Sequence, residues 1–473
     1  MQHGKFATFL FLCLFSLNHF VSAANDGYKI AVKVDNLKDS VCYLGFYYGD
    51  KKYVQDTARI NDAGLYVFEG NEPLEGGVYF VYAPKNLYLE IVVNEQQFSI
   101  ETDANDPVGA LKVKDSRENQ VFMQLQQNGI EKQQQIAQFK ETLEIHKNNS
   151  DSTALIQEQI QAINDELLAY RKKLIRDNPD LFVTRVIQAS EVIEVPETVG
   201  QGADEPDKAK YQYYKNHFLD HIDFTDARML KTPVFHNKLM EYCDKVVVQH
   251  PDSVFAAAQE VLEKAKGTED MFRYVLTNMA SKYETSNVMG METVFVNLAE
   301  DYYLSGKTPW VDEDVVAKIK EKVEETKPTL IGRQAPPMTL MDTLDRPVNL
   351  YAIEADYLIL YFYDPTCGNC KKKTPIMHEA YQKLKNEGVK VLAVNTITDG
   401  DKWKEYIREN ELDWINAGDI HVRSNFRYDY NIESVPRVFI LDKDKKIIAR
   451  RLGAEDVEPF MNNYIKAKRN AGS

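Results

Sequence analysis

Three patterns of apolar and polar positions follow one another along the chain. From about residue 27 to 103, short runs rich in β-branched and aromatic residues recur at 28–34, 41–48, 65–68, 78–82, 88–93 and 98–100. Such runs favour strands. Asn61-Asp62-Ala63-Gly64, Glu75-Gly76-Gly77 and Pro84-Lys85-Asn86 punctuate them as turns. This spacing predicts a small antiparallel sandwich. At Asp106-Pro107 the pattern changes. Residues 121–147 and 153–176 carry apolar positions three and four apart, which predicts two helices paired across a turn at 148–152. Residues 194–208, with Pro, Gly and acids, read as a loop. Helices resume near Tyr211 and continue, with breaks at Pro251 and Gly267, to about Glu325.

The third pattern alternates strand and helix. Residues 338–341 and 347–350 read as a hairpin, and 357–363 as a central strand apolar at every position. A helix follows from Cys367 to about Asn386, then a strand at 389–395 and a helix at 401–410. Residues 437–441 and 446–450 make a strand pair, and 457–468 a closing helix. The expected fold class is multidomain: an N-terminal all-β sandwich-like domain (24–106), a central α-helical domain (107–330) and a C-terminal α/β layer (331–473).

The first 23 residues read as a secretory leader. Lys5 supplies the positive charge, residues 6–17 the apolar run, and Val21-Ser22-Ala23 the small residues of a cleavage site. That run is too short to span a bilayer comfortably, and no later segment reaches the necessary length. Cys13 has no small residue before it, so lipid attachment there is not expected.

Charge refines this division. The formal net charge is −15, from 57 basic and 72 acidic residues, which argues against nucleic acid as a partner. Residues 331–473 hold 22 basic against 21 acidic side chains, whereas residues 24–330 hold 34 against 51. The acidity belongs to the upstream region, where it favours solubility.

Beyond the leader the cysteines are Cys42, Cys243, Cys367 and Cys370, too few for a disulfide scaffold. Cys367-Gly368-Asn369-Cys370 is the informative group. Thiol–disulfide exchange needs one thiolate to attack and a second thiol to release the product. Two intervening residues bring both sulfurs within one helical turn. At a helix N-terminus the free N–H groups and the dipole stabilise a negative sulfur. Cys367 is therefore the expected nucleophile, with Gly368 leaving it unobstructed, and Cys370 the resolving thiol. Lys371, Lys372 and Lys373 follow, either as support for the thiolate or, the favoured reading, as a solvated face.

Residues 361–375, Tyr-Phe-Tyr-Asp-Pro-Thr-Cys-Gly-Asn-Cys-Lys-Lys-Lys-Thr-Pro, resemble the active-site region of thioredoxin-like proteins of the TlpA and ResA type. Pro375 matches the proline that kinks the first helix of that family. Val435-Pro436 matches its cis-proline, which packs against the redox pair, and Val435 matches the residue whose backbone binds the substrate chain. Ile331-Gly332-Arg333-Gln334-Ala335-Pro336 resembles the usual opening of the domain. The resemblance covers about the last 140 residues and implies a thioredoxin fold, protein thiol or disulfide substrates with an electron-donor or acceptor protein, and no cofactor. Gly368 and Asn369 would face the substrate with Val435. Four positions depart from the family, Asn369 among them in place of the usual proline. Thr366 replaces the tryptophan that often precedes the first cysteine. Tyr361 stands where thioredoxins carry a buried aspartate, and Lys373 where ResA-like members carry a glutamate. The overall layout, with residues 287–296 and Asp301-Tyr302-Tyr303, resembles multidomain Bacteroidota proteins, which implies a periplasmic or cell-envelope location.

Competing assignments are weaker. A zinc site needs about four ligands, and neither a second C-x-x-C nor a nearby histidine pair exists. His217 and His221 share an i, i+4 spacing but have no third ligand, which favours ordinary packing. Cys42 and Cys243 read as buried free thiols, and Trp310 with Tyr302 and Tyr303 as packing in the helical region. An envelope scaffold with a vestigial redox domain, or Cu(I) delivery by the two thiolates, are the alternatives to an oxidoreductase working as a reductant.

Overall fold

The computed structural model describes residues 27–145 and 150–471. The expected leader, and positions 148–149 of the expected helical turn, lie outside the described residues. The chain falls into two compact units. One holds the residues up to Val192 with His221–Asp223 and Arg228–Asn237; the other holds Ile193–Asp220, Phe224–Ala227 and everything from Lys238.

The first unit begins with β1 (Tyr28–Asp35), β2 (Val41–Tyr48), β3 (Lys51–Arg59), β4 (Tyr66–Gly70), β5 (Gly77–Ala83), β6 (Leu87–Val93), β7 (Gln97–Asp103) and β8 (Lys112–Lys114). They form two four-stranded sheets, ordered β4-β1-β7-β8 and β3-β2-β5-β6. Alternate residues of both sheets, among them Ile30, Val32, Cys42, Leu44, Tyr79, Val81, Phe98 and Ile100, meet in one core. The sandwich is not wholly antiparallel, because β1 pairs β7 in parallel. The chain passes through the other sheet between them, a connection long enough for parallel pairing. Strand structure also outlasts Asp106, since β8 pairs β7.

Helices α1 (Arg117–Ile145), α2 (Ser150–Asp177) and α3 (Phe182–Ala189) complete this unit. Their anchor is polar and buried. Asn119 accepts from the backbone N–H of Val92 at 2.8 Å and donates to its carbonyl at 2.6 Å. Both Glu118 oxygens accept from the first backbone N–H groups of α3, Phe182 and Val183, at 2.8 Å each. Those donors have no partner within the helix, so a carboxylate satisfies them.

Further along lie α4 (Pro206–His217), α5 (Pro233–Glu241), α6 (Pro251–Ala265), α7 (Glu269–Glu284), α8 (Glu292–Leu298) and α9 (Glu313–Thr326). The helix α4 starts at Pro206, earlier than expected, because proline suits a first helical turn, where its missing N–H costs nothing. Phe272 packs edge-on to Tyr302 and Trp310, and Tyr303 is buried.

The C-terminal region contains β9 (Thr339–Met341), β10 (Pro347–Asn349), β11 (Tyr357–Tyr363), α10 (Gly368–Leu384), β12 (Val389–Asn395), α11 (Gly400–Glu409), β13 (Ile415–Gly418), α12 (Phe426–Asp429), β14 (Arg437–Asp442), β15 (Ile447–Arg450) and α13 (Ala454–Ala471). One seven-stranded sheet runs β10-β9-β13-β12-β11-β14-β15, with β11 parallel to β12 and antiparallel to β14. The strand β11 is covered on both faces, which explains its unbroken apolar run. Ile359, Tyr361 and Tyr363 join the core under α10, α11 and α13. Leu358, Leu360 and Phe362 join the opposite core with Phe426 and Tyr430. Among the described residues, no helix is long and apolar enough to cross a membrane.

Candidate functional site

The site forms where the central strand gives way to a helix. Asp364-Pro365-Thr366 turns the chain, and Asp364 Oδ1 holds the turn by accepting from the backbone N–H and the hydroxyl of Thr366, both at 2.6 Å. Cys367 is the N-cap of α10, with extended backbone. Its carbonyl accepts the Lys371 N–H at 3.0 Å, closing the first helical turn. Cys370 sits one turn inward and is fully buried, while Cys367 is partly exposed. The Asp364 N–H points at Cys370 Sγ from 3.5 Å.

The two thiols have opposite electrostatics. The backbone N–H of Cys370 stabilises the Cys367 thiolate most, and this outweighs the opposing cost of burial. The Cys370 thiol and the Asn369 N–H add to it, so the Cys367 pKa falls below its ordinary value. Burial pushes the Cys370 thiol up to about 12. Exposed backbone donors at a helix start thus mark one sulfur as the thiolate, and desolvation keeps the other protonated. The three lysines take no part. Lys371 and Lys372 are exposed, and Lys373 binds both Glu455 oxygens at 2.8 Å.

The sequence-distant Val435-Pro436 lies against this pair. Its peptide bond is cis, and the Val435 carbonyl oxygen is 4.0 Å from Cys367 Sγ. Gly368 and Asn369 are exposed beside it. A Cβ at Gly368 would meet nothing within 4 Å, so the glycine is not demanded by packing and the helix start lies open. All six residues singled out in the sequence therefore fall in one place.

Other expectations resolve differently. The helix α4 ends at His217, so His217 and His221 do not share a helix face. His217 pairs with Asp220 at 2.6 Å and His221 with Glu191 at 3.7 Å. Cys42 and Cys243 are buried and free. Among the described residues, no three His, Cys, Asp or Glu side chains converge as metal ligands.

Sequence reasoning missed two features. Behind Cys370, the Tyr361 hydroxyl meets Thr374 Oγ1 at 3.0 Å, and Tyr406 lies in the same core. Near Pro436, the buried Glu292 of α8 forms ion pairs with Arg451 at 3.1 Å and the buried Arg450 at 3.7 Å. Neither has a local signal, because each joins residues far apart in the chain.

A seven-stranded α/β layer with a C-x-x-C at a helix start, faced by a cis-proline, defines a thioredoxin-like domain. The thioredoxin-like family model matches residues 355–447, and two domains of unknown function, DUF4369 and DUF5106, match residues 28–122 and 157–328. The chain is 26% identical over 147 residues to the thiol-disulfide oxidoreductase ResA of a Bacillus cereus strain, covering 31% of this chain and 80% of that protein. It is 33% identical to a domain of a possible thiol-disulfide isomerase from Cytophaga hutchinsonii, covering 30% of this chain and 97% of that one, with a TM-score of 0.29. A thioredoxin-like protein from Bacteroides caccae is 19% identical and covers 57% of this chain and 97% of its own, with a TM-score of 0.45. The C-terminal region is thus a thioredoxin-like domain similar to the thiol–disulfide oxidoreductases of the ResA type.

Proposed function

We propose that this protein is an exported oxidoreductase that reduces disulfides in partner proteins through Cys367 and Cys370. The carrying observation is the contrast between an accessible sulfur lowered in pKa by helix N–H groups and a buried sulfur raised to about 12 one turn away. The Cys367 thiolate attacks a partner sulfur and forms a mixed disulfide. Cys370 then attacks Cys367 Sγ, and the partner leaves as a thiol while an intramolecular disulfide forms. Val435, Gly368 and Asn369 receive the partner chain, and Pro436 shields the pair. A second protein returns the electrons. No cofactor is required for this exchange.

The leader at residues 1–23 and the resemblance to multidomain Bacteroidota proteins support export to the periplasm or cell envelope. The family-model spans, 28–122, 157–328 and 355–447, support three successive domains, the first of them running past Asp106. The test is a trap. Full-length Cys370→Ser, expressed with its leader, accumulates disulfide-linked partners through Cys367, and the wild type reduces insulin. An empty trap together with no insulin reduction contradicts the proposal.

A further inference from the structure

Exchange by Cys367 and Cys370 makes no use of the helical region, yet one turn of that region reaches their core. Residues 286–291 lie in the same compact unit as the redox pair and lead into α8. The turn is tight. The Ser286 hydroxyl accepts from the Val288 N–H at 3.1 Å, and the Val288 carbonyl accepts from the Met291 N–H at 3.2 Å. Gly290 completes it at φ 88°, in the left-handed region that suits glycine. A Cβ there would meet Ile331 at 3.3 Å and Pro251 at 3.5 Å, so the backbone runs close to both. Glu292 then anchors the turn by pairing with Arg451 at 3.1 Å and Arg450 at 3.7 Å. The Arg451 N–H donates to the carbonyl of Val438 at 3.2 Å, just past Pro436. Glu455, at the start of α13, holds Lys373 of α10 at 2.8 Å. These contacts fix two apolar side chains of the turn. Met289 is partly exposed and packs on the core that contains Cys370, and Cys367, Val435 and Leu452 border the same core. Val288 beside it is half exposed.

We propose that Val288 and Met289 form one wall of the partner-binding surface and favour protein segments with an apolar side chain next to the reactive cysteine. The inference rests on Cys367 and Cys370 being the redox pair. A segment whose cysteine meets Cys367 brings its flanking side chains to the border that Met289 and Val435 share. An apolar side chain placed there leaves water for an apolar surface, which is favourable. A polar one gives up hydration and gains no strong hydrogen bond from valine or methionine, which costs free energy. The unbranched thioether of methionine adapts to different shapes, so the wall selects a chemical class and not a single sequence. Recognition thus draws on the helical region as well as on the C-terminal layer.

The experiment mixes reduced full-length protein with two short neutral peptides in stopped flow. Each peptide carries one cysteine as its mixed disulfide with 2-nitro-5-thiobenzoate, flanked on both sides by leucine in one and by serine in the other. Cys367 attacks the peptide sulfur, the Cys367–peptide S–S bond forms, and the peptide–aryl S–S bond breaks. The coloured aryl thiolate, the better leaving group, departs with the electron pair. The ratio of the two rates cancels the reactivity of the Cys367 thiolate itself. The leucine peptide should react about 10-fold faster with wild type, as a difference of one apolar side chain in an apolar site allows. Met289→Ser should lower this ratio to about 3-fold or less, whereas Met289→Leu, which stays apolar, should keep it. Val288→Ser, at an exposed position, lowers it as well and carries the test if Met289→Ser does not fold. A wild-type ratio near one overturns the wall, as does a ratio that neither serine variant lowers. Loss of the ratio in Met289→Leu marks packing, not apolar contact, and also overturns it. A wild type that releases no aryl thiolate from either peptide overturns the redox pair, and the wall with it.

Discussion

The N-terminal sandwich and the C-terminal α/β layer each bury a cysteine in a core, and burial acts alike on both. Desolvation raises Cys42 in β2 to about 12, as it does Cys370 in α10. The difference lies in what stands beside each sulfur. Cys42 has Asp39, whose charge raises its pKa further, and Tyr66, whose hydroxyl only partly offsets this. Every backbone N–H of a strand interior is committed to its ladder. Cys370 has a second thiol one turn earlier, at the one place in a helix where N–H groups are free. A buried thiol is inert in the first setting and half of a redox couple in the second. Reactivity here follows from position on the backbone, not from the presence of a cysteine.

The sharpest break of this comparison is Cys367→Ser. Insulin reduction should fall to the uncatalysed rate, whereas Cys42→Ser should leave it intact. Retained activity in Cys367→Ser would remove the basis of the contrast.

Stability can be separated from reactivity at Glu292. It is almost wholly shielded from water and answers Arg450 and Arg451 by ion pairing. Removing one partner of a buried pair costs roughly 3–5 kcal/mol. Glu292→Ala should lower the stability of the second unit by about that amount in urea melts. The alkylation rate of Cys367 in the folded protein should not change, since Glu292 is absent from the groups that set its pKa.

A third effect is a ratio within one molecule. Helix N–H groups hold Cys367 below the ordinary thiol value, whereas burial pushes Cys42 up to about 12. At neutral pH Cys367 therefore holds the larger thiolate fraction, partly offset because a more acidic thiol is a weaker nucleophile, and it should label faster than Cys42 by about 10-fold or more. Mass-resolved iodoacetamide labelling at pH 7 measures it, and comparable labelling of the two would break the comparison. The smallest effect is Cys42→Ala, which should cost about 1 kcal/mol through lost packing and leave Cys367 labelling unchanged.

The redox site was legible because its signals are local. A continuous apolar strand, a turn and C-x-x-C lie within residues 357–370, and the cis-proline adds one distant dipeptide. The N-terminal region was read less completely. Strand β3 was missed because an edge strand such as Lys51–Arg59 is mostly exposed and polar. The Gly49-Asp50 pair, with Gly49 at φ 63°, was its one available signal, closing a two-residue turn between Tyr48 and Lys51. The hydroxyls behind Cys370 and the Glu292 ion pairs were invisible for another reason. Tyr361 sits on β11, Thr374 on α10 and Tyr406 on α11, and only the folded sheet brings them together. The shared helix face read from the spacing of His217 and His221 does not form, because that helix stops at His217.

The pH dependence of alkylation at Cys367 and Cys370 in the reduced full-length chain, followed site by site, tests the central assignment most directly. Labelling of Cys367 should rise with pH to a half-maximum below that of an ordinary thiol measured alongside, while Cys370 remains almost unlabelled through that range and responds only towards pH 12. A common midpoint for the two sulfurs, a Cys367 midpoint no lower than the ordinary thiol's, or preferential labelling of Cys370 would contradict the division of labour between them.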